Sequence, residues 1–150
     1  MLSQKARYAI RALLVLGAEK NGATVLIADV AKQANVPRKF LEQILLELKK
    51  RGIVHSQRGR FGGYTLGRAP EYITFAEIIR AIDGPLALAP CASRTAYHRC
   101  DDCKDELTCA IRKVLLNVRD ATAAILEHHT LAQAVADEKH PGKSKRRRAA

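Results

Sequence analysis

The feature that most constrains this chain is a change of hydrophobic period across one glycine, Gly52. Before it, Leu41, Ile44, Leu45 and Leu48 recur at steps of three and four, the spacing of one helix face. After it come two short runs, Ile53-Val54-His55-Ser56 and Tyr64-Thr65-Leu66, around a basic, glycine-rich segment from Gln57 to Gly63. Such runs favour strands. The pattern predicts a helix from Pro37 to about Arg51, Gly52 just past its end, and then a hairpin.

The upstream sequence supplies matching pieces. Ser3 to Glu19 reads as a helix capped by Ser3, with Ala6, Ile10, Leu13, Leu14 and Gly17 on one face and Arg7 and Arg11 on the other. Asn21-Gly22 ends it, and Thr24-Val25-Leu26 suits one short strand. Ile27 to Ala34 is a short helix, followed by the turn Asn35-Val36-Pro37. Helix, short helix, turn, helix and hairpin is the order of a winged helix-turn-helix.

Downstream, Thr74 caps a helix through Ile82 that ends at Asp83-Gly84-Pro85, and residues 85–104 read as irregular. Asp105 to about His128 reads as one long helix of about six turns. Ile111, Val114, Leu115, Val118, Ala121, Thr122 and Ile125 form its stripe. After a small domain such a helix has little to pack on, so its stripe predicts a dimer seam. Thr130 caps a short helix from Leu131 to Ala136. The expected architecture is mainly α with a small β-hairpin wing: a winged helix-turn-helix plus a long C-terminal dimerisation helix. The expected division is a DNA-binding domain over 1–70 and a linking helix with a cysteine loop over 71–104. A dimerisation segment over 105–136 and a disordered basic tail over 137–150 follow.

Charge narrows the partners. The formal net charge is +11 over 150 residues, and it is unevenly placed. Residues 1–70 hold 13 Lys/Arg against 4 Asp/Glu, residues 71–139 hold 8 against 11, and residues 140–150 hold 5 against none. The positive field therefore lies on the winged-helix half and on the tail, which points to duplex DNA. No apolar run is long enough for a membrane helix and no secretory leader is visible, so a cytoplasmic protein is expected. Carboxylates are scattered, and no nucleophile triad, phosphate loop or dinucleotide fingerprint is present, so no enzyme is expected. His55, His128 and His129 read as surface or packing residues.

Two surfaces carry the expected DNA contacts. Arg38, Lys39, Glu42 and Gln43 lie near the start of the helix from Pro37, the end that enters a major groove. Arg suits guanine, Gln suits adenine, and Glu accepts from the cytosine amino group. Lys49 and Lys50 suit phosphates. Arg58, Arg60 and Tyr64 belong to the glycine-rich hairpin, whose tip suits a narrow minor groove.

All four cysteines fall in the spacing Cys91-x8-Cys100-x2-Cys103-x5-Cys109. Clustered thiols without an oxidising context favour metal or redox chemistry over structural disulfides. Four thiolates suit zinc or an iron–sulfur cluster, and His98 is a possible substitute ligand. Unliganded thiols with a regulatory disulfide are the plainer alternative.

These residues resemble the Rrf family of winged-helix regulators, the kin of IscR, NsrR, RirA and CymR, over about residues 1–136. The resemblance rests on Ala9-x-Arg11-Ala12-Leu13, Phe40-Leu41-Glu42-Gln43-Ile44-Leu45 and Gly52-Ile53-Val54-x-Ser56-x-Arg58-Gly59-x-x-Gly62-Gly63-Tyr64-x-Leu66. Ile73-Thr74-x-x-Glu77-Ile78-Ile79-x-Ala81-Ile82-Asp83-Gly84 and Thr130-Leu131 fit as well. It implies a homodimeric transcription factor, usually a repressor, on a pseudo-palindromic operator in double-stranded DNA. In iron–sulfur members three cysteines hold a cluster, and Cys91, Cys103 and Cys109 match them. The interval from Cys91 to Cys103 is longer than usual, and Cys100 is extra. Arg112 stands where the IscR-like pattern has His, and Arg7 where the nitric-oxide sensor pattern has Asp. Cys100 is then the natural fourth ligand. The expectation is a [4Fe-4S] cluster, with [2Fe-2S] second and zinc third. Two alternatives stand beside it: a cluster-free regulator controlled by a partner or small effector, and a thiol-redox or zinc-binding protein using Cys100-x2-Cys103.

Overall fold

The computed structural model describes residues 2–139. Helix α1 (Gln4–Ala18) starts where Ser3 accepts a hydrogen bond from the Ala6 amide. Asn21, at φ 60°, ends the following turn. Helix α2 (Ile27–Ala34) ends at Asn35 in the left-handed region. Helix α3 (Arg38–Lys50) has Pro37 as its N-cap residue rather than as its first residue, so the missing proline N–H falls just outside the helix. Gly52, at φ 69°, turns the chain out of α3 as expected.

Strands β1 (Val54–Gln57) and β2 (Gly63–Leu66) form an antiparallel hairpin with Val54 opposite Leu66 and Gln57 opposite Gly63. The expected strand at Thr24–Leu26 is reduced to one bridge. The Val25 amide donates to the Tyr64 carbonyl at 2.9 Å, and the Tyr64 amide donates back at 2.8 Å. This pair stitches the wing to the chain between α1 and α2.

Helix α4 (Phe75–Ile82) is capped by Thr74, whose hydroxyl accepts from the Glu77 amide. Two bounds differ from the expected ones by three residues or more. The long helix α5 (Ala110–His128) begins at Ala110, not Asp105. The Asp105 carboxylate takes the Leu107 amide at 3.0 Å and the Thr108 hydroxyl at 2.9 Å. That local turn competes with helix, and Cys109 becomes the cap instead. Helix α6 (Leu131–Lys139) runs three residues beyond Ala136, so the expected tail from 137 is helical to Lys139. The rest of that tail, 140–150, lies outside the described residues.

The core lies between α1, α2, α3 and α4, with Leu13, Leu41, Ile44, Leu45, Leu48, Ile53, Ile78 and Leu131 fully buried. Each such aliphatic side chain contributes about 1.5–3 kcal/mol of transfer free energy. Leu131 matters because it brings α6 back from the end of the chain onto α1. An added Cβ at Gly17 would lie 3.2 Å from Val135 and 3.4 Å from Leu131, so this helix crossing uses the missing side chain. By contrast, α5 has no buried residue. Among the described residues no helix is long and apolar enough to cross a membrane.

Candidate nucleic-acid interface and cysteine site

The core stripe of α3 fixes which way its other side chains face. Arg38, Lys39, Glu42, Gln43, Lys49 and Lys50 are all exposed. Three of them have internal partners. Arg38 Nε lies 3.2 Å from Glu42 Oε1, an i,i+4 pair across one turn. Lys49 Nζ donates to the Ser56 hydroxyl of β1 at 2.6 Å, which ties α3 to the wing. Gln43 shares a groove with Gln4, Lys5, Tyr8, Phe40 and Ile44. The helix thus presents Lys39, Gln43 and Lys50 outward, while Arg38, Glu42 and Lys49 lean toward neighbours.

The wing is built by close backbone approach. A Cβ at Gly62 would sit 2.6 Å from the Gln57 carbonyl oxygen, and one at Gly63 would sit 2.5 Å from that of Val25. Only glycine fits either place. The Gly62 amide donates to the Gly59 carbonyl at 2.9 Å, and the Thr24 hydroxyl donates to the Phe61 carbonyl at 3.2 Å. The tip is therefore held, with Arg58, Arg60 and Phe61 exposed on it. Tyr64 differs from them: it is half-buried, and its ring packs against the core beside the bridge to Val25.

The four cysteines come together in space. Cys91, Cys100, Cys103 and Cys109 all line one cavity of about 380 Å³, next to Ile111 and Leu115 of α5. His98 is exposed and does not line it. Cys91 is buried on the helical turn Pro90–Ala92. Two arginines of α5 clamp that turn: Arg112 Nε donates to the Cys91 carbonyl at 3.2 Å, and Arg119 Nη1 to the Ala92 carbonyl at 2.7 Å. Arg99 donates to the Cys103 and Lys104 carbonyls and closes the loop from the other side. Cys109 is the N-cap of α5; its sulfur accepts from the Arg112 amide at 3.4 Å.

A hydrogen bond with Cys91 is the largest cause raising the Cys100 thiol above its ordinary pKa; partial burial and the Asp102 and Cys103 charges add to it. Arg112 has no lone pair to offer a metal, so its place beside Cys91 is that of a clamp. Among the described residues no three His, Cys, Asp or Glu side chains converge as ligands of a single ion. Four thiols around one cavity are a donor set that fits a thiolate-ligated metal group, and Arg112 and Lys104 at its lining suit an anionic one.

On α5 the stripe residues Ile111, Val114, Val118 and Ile125 are exposed, Ile111 at 72% and Ile125 at 60%. The arginine clamps that hold the cysteine turn, and the exposed Phe61, escaped the sequence reading. Only the replacement of an expected His by Arg112 hinted at the first of these.

Comparison with known proteins places these features. The family profile described as "Rrf2: Iron-dependent Transcriptional regulator" matches residues 2–137. An rrf2-like HTH-type transcriptional regulator of Rhodobacter capsulatus is 44% identical over 139 residues, 91% of this chain and 93% of that one. Among solved structures, CymR, the global cysteine regulator of B. subtilis, superposes with a TM-score of 0.74 at 29% identity, covering 91% of this chain and 96% of that one. IscR of T. potens gives a TM-score of 0.74 at 25% identity, covering 97% and 93%.

Proposed function

Because this chain belongs to the Rrf2 family of DNA-binding transcriptional regulators and is not an enzyme, we propose that it is a homodimeric repressor controlled by a cysteine-ligated [4Fe-4S] cluster. The observation that carries this reading is the single cavity lined by Cys91, Cys100, Cys103 and Cys109. In this reading residues 1–70 bind DNA, 71–104 sense, and 105–136 dimerise.

Arg38, Lys39, Glu42 and Gln43 read base edges of a pseudo-palindromic operator. Lys49 and Lys50 hold phosphates, and Arg58 and Arg60 enter the minor groove. Tyr64 supports the wing from beneath. The exposed α5 stripe is the seam between two copies, which sets the spacing of the half-sites.

When bound, the cluster supplies a link that iron supply, oxidants or nitric oxide can break. The chain's own residues carry the consequence. Cys91 and Cys109 sit on two pieces, the turn at 90–92 and the first turn of α5, and a link between them fixes one against the other. The effect reaches the DNA-binding half through α4. Arg80 of α4 pairs with Glu127 of α5 at 2.6 Å, and the Ser3 amide at the start of α1 donates to the Asp83 carboxylate at 2.9 Å.

Anaerobic purification tests the reading. A brown protein with iron and sulfide near ~4 each per subunit is the expected result for a cubane on Cys₄. Colourless protein with stoichiometric zinc overturns it. Iron at about two per subunit keeps the sensor and replaces the cluster type by [2Fe-2S]. The second reading is a cluster-free regulator answering to a small effector or partner, which the structural likeness to the cysteine regulator CymR favours. It expects metal-free protein whose operator binding changes with an added effector or partner and not with iron.

A further inference from the structure

A single exposed apolar side chain carries no message by itself. Phe61 is different because of what surrounds it. It is 81% exposed, and it stands at the tip of the wing, not on its flank. Its carbonyl is fixed by the Thr24 hydroxyl at 3.2 Å, and the turn that contains it is closed by the Gly62–Gly59 hydrogen bond at 2.9 Å. The ring is therefore carried outward by a held backbone. Arg58 is exposed on the same tip, and the Arg60 guanidinium carbon lies 5.9 Å from the ring centre, within cation–π range. The pair presents one flat apolar face and one flat cation side by side.

Charge complementarity selects the occupant. The wing belongs to the half of the chain with 13 Lys/Arg against 4 Asp/Glu. A polyanionic duplex fits this tip; an acidic protein surface would satisfy the arginines but not the ring. Within a duplex, the minor groove has walls of sugar carbon that accept an apolar side chain, and its floor differs between base pairs. G·C pairs raise the guanine N2 amino group into the groove, and A·T pairs leave that space empty. Apolar side chains reach minor grooves in several architectural proteins, where they wedge between base steps.

We propose that Phe61 is an apolar minor-groove contact that makes the wing select A·T pairs, with Arg60 stacked beside it. The inference rests on the reading of the wing as a DNA contact and adds a specificity-determining residue to it. The ring supplies bulk that a guanine amino group would clash with; the guanidinium supplies attraction to the groove's negative potential.

The test uses the full-length protein and a random-sequence DNA duplex pool. Wild type should enrich A·T pairs outboard of the positions read by α3. Replacing those pairs by G·C should weaken binding about tenfold, the order of one unfavourable base pair. Replacing them by inosine·C, which lacks the N2 amino group, should restore affinity. Phe61→Ala should fold normally, lose the A·T enrichment and leave the salt dependence of binding unchanged, since no charge is removed. Arg60→Ala should instead lower the salt slope by about one. Phe61→Leu keeps the bulk and should keep the preference.

Three results overturn the assignment. Phe61→Ala selecting the wild-type sequence with wild-type affinity, while Arg60→Ala is impaired, shows the ring to be idle. Phe61→Leu behaving like Phe61→Ala shows that the ring serves as a platform for Arg60. Silence of both Arg60→Ala and Phe61→Ala removes the wing from the interface altogether and defeats the underlying reading instead.

Discussion

At the scale of single residues, the proposed interface divides by what each side chain touches in the free protein. Gln43 faces outward with no ion-pair partner to leave, whereas Lys49 is bonded to Ser56 at 2.6 Å. Gln43→Ala should weaken binding to the selected operator by ~1–3 kcal/mol and leave non-specific binding alone. Lys49→Ala should weaken specific and random duplexes alike and reduce the salt slope by about one. Titration of affinity against salt separates the two, and an equal loss of specificity in both would remove the division into base and phosphate readers. Asp120 on α5 gives a second residue-level expectation. Hydrogen bonds from Arg119, reinforced by Arg94, hold its carboxyl below the ordinary 3.8. A carboxylate depressed in the folded state stabilises it fully above that ordinary value. The contribution then disappears as pH falls below 3.8 toward the depressed value. Asp120→Asn should therefore show a shallower loss of stability on acidification in that window, measured by thermal melts across pH. An unchanged acid limb would show that the arginine contacts are not maintained in solution. Much at this scale was legible in the sequence, because exposed positions follow from the stripe they oppose. Tyr64 was not. It shares the wing with Arg58 and Arg60, but the bridge to Val25 draws it against the core.

At the scale of elements, caps and turns decided more than periodicity did. The sequence reading found α1, α2, α3 and α4 within a residue or two, since each has a strong start or stop in Ser3, Asn35, Gly52 or Thr74. It placed the start of α5 five residues early. Periodicity continues through Leu107 and Ile111, but Asp105 closes a local turn onto Leu107 and Thr108, and Cys109 caps the helix after it. Helix α5 also carries the clearest element-level expectation. None of its residues is buried in one chain, so an apolar stripe of Ile111, Val114, Val118 and Ile125 faces outward. Ile125→Glu combined with Val114→Glu should leave the fold intact and convert a dimer into a monomer by sedimentation or light scattering. A dimer that survives both changes would place the seam elsewhere. Loss of specific DNA binding should accompany dissociation, because a monomer engages one half-site only.

At the scale of the whole molecule, the cysteine loop and the winged-helix half are joined by contacts far apart in sequence. Arg112 and Arg119 hold the turn that carries Cys91, Arg80 meets Glu127, and Ser3 meets Asp83. If the cluster governs these joints, holo and apo protein prepared anaerobically should differ in operator affinity by about 5- to 150-fold, the usual range of coupling free energies. Titration of labelled operator with both forms is the check, and equal affinities would separate the cysteine site from regulation. The sequence by itself determined α1 to α4 and the hairpin, the winged order of the first seventy residues, the placing of positive charge there and the grouping of four thiols within nineteen residues. These are local matters, set by period, caps and glycines acting over a few neighbouring residues. Tertiary structure alone decided that the four thiols share one cavity, that arginines of α5 clamp the cysteine turn, that Leu131 returns α6 to the core of α1, and that the ring of Phe61 stays outside. Each of these depends on the direction of a side chain after distant segments have packed, and no spacing along the chain encodes that direction.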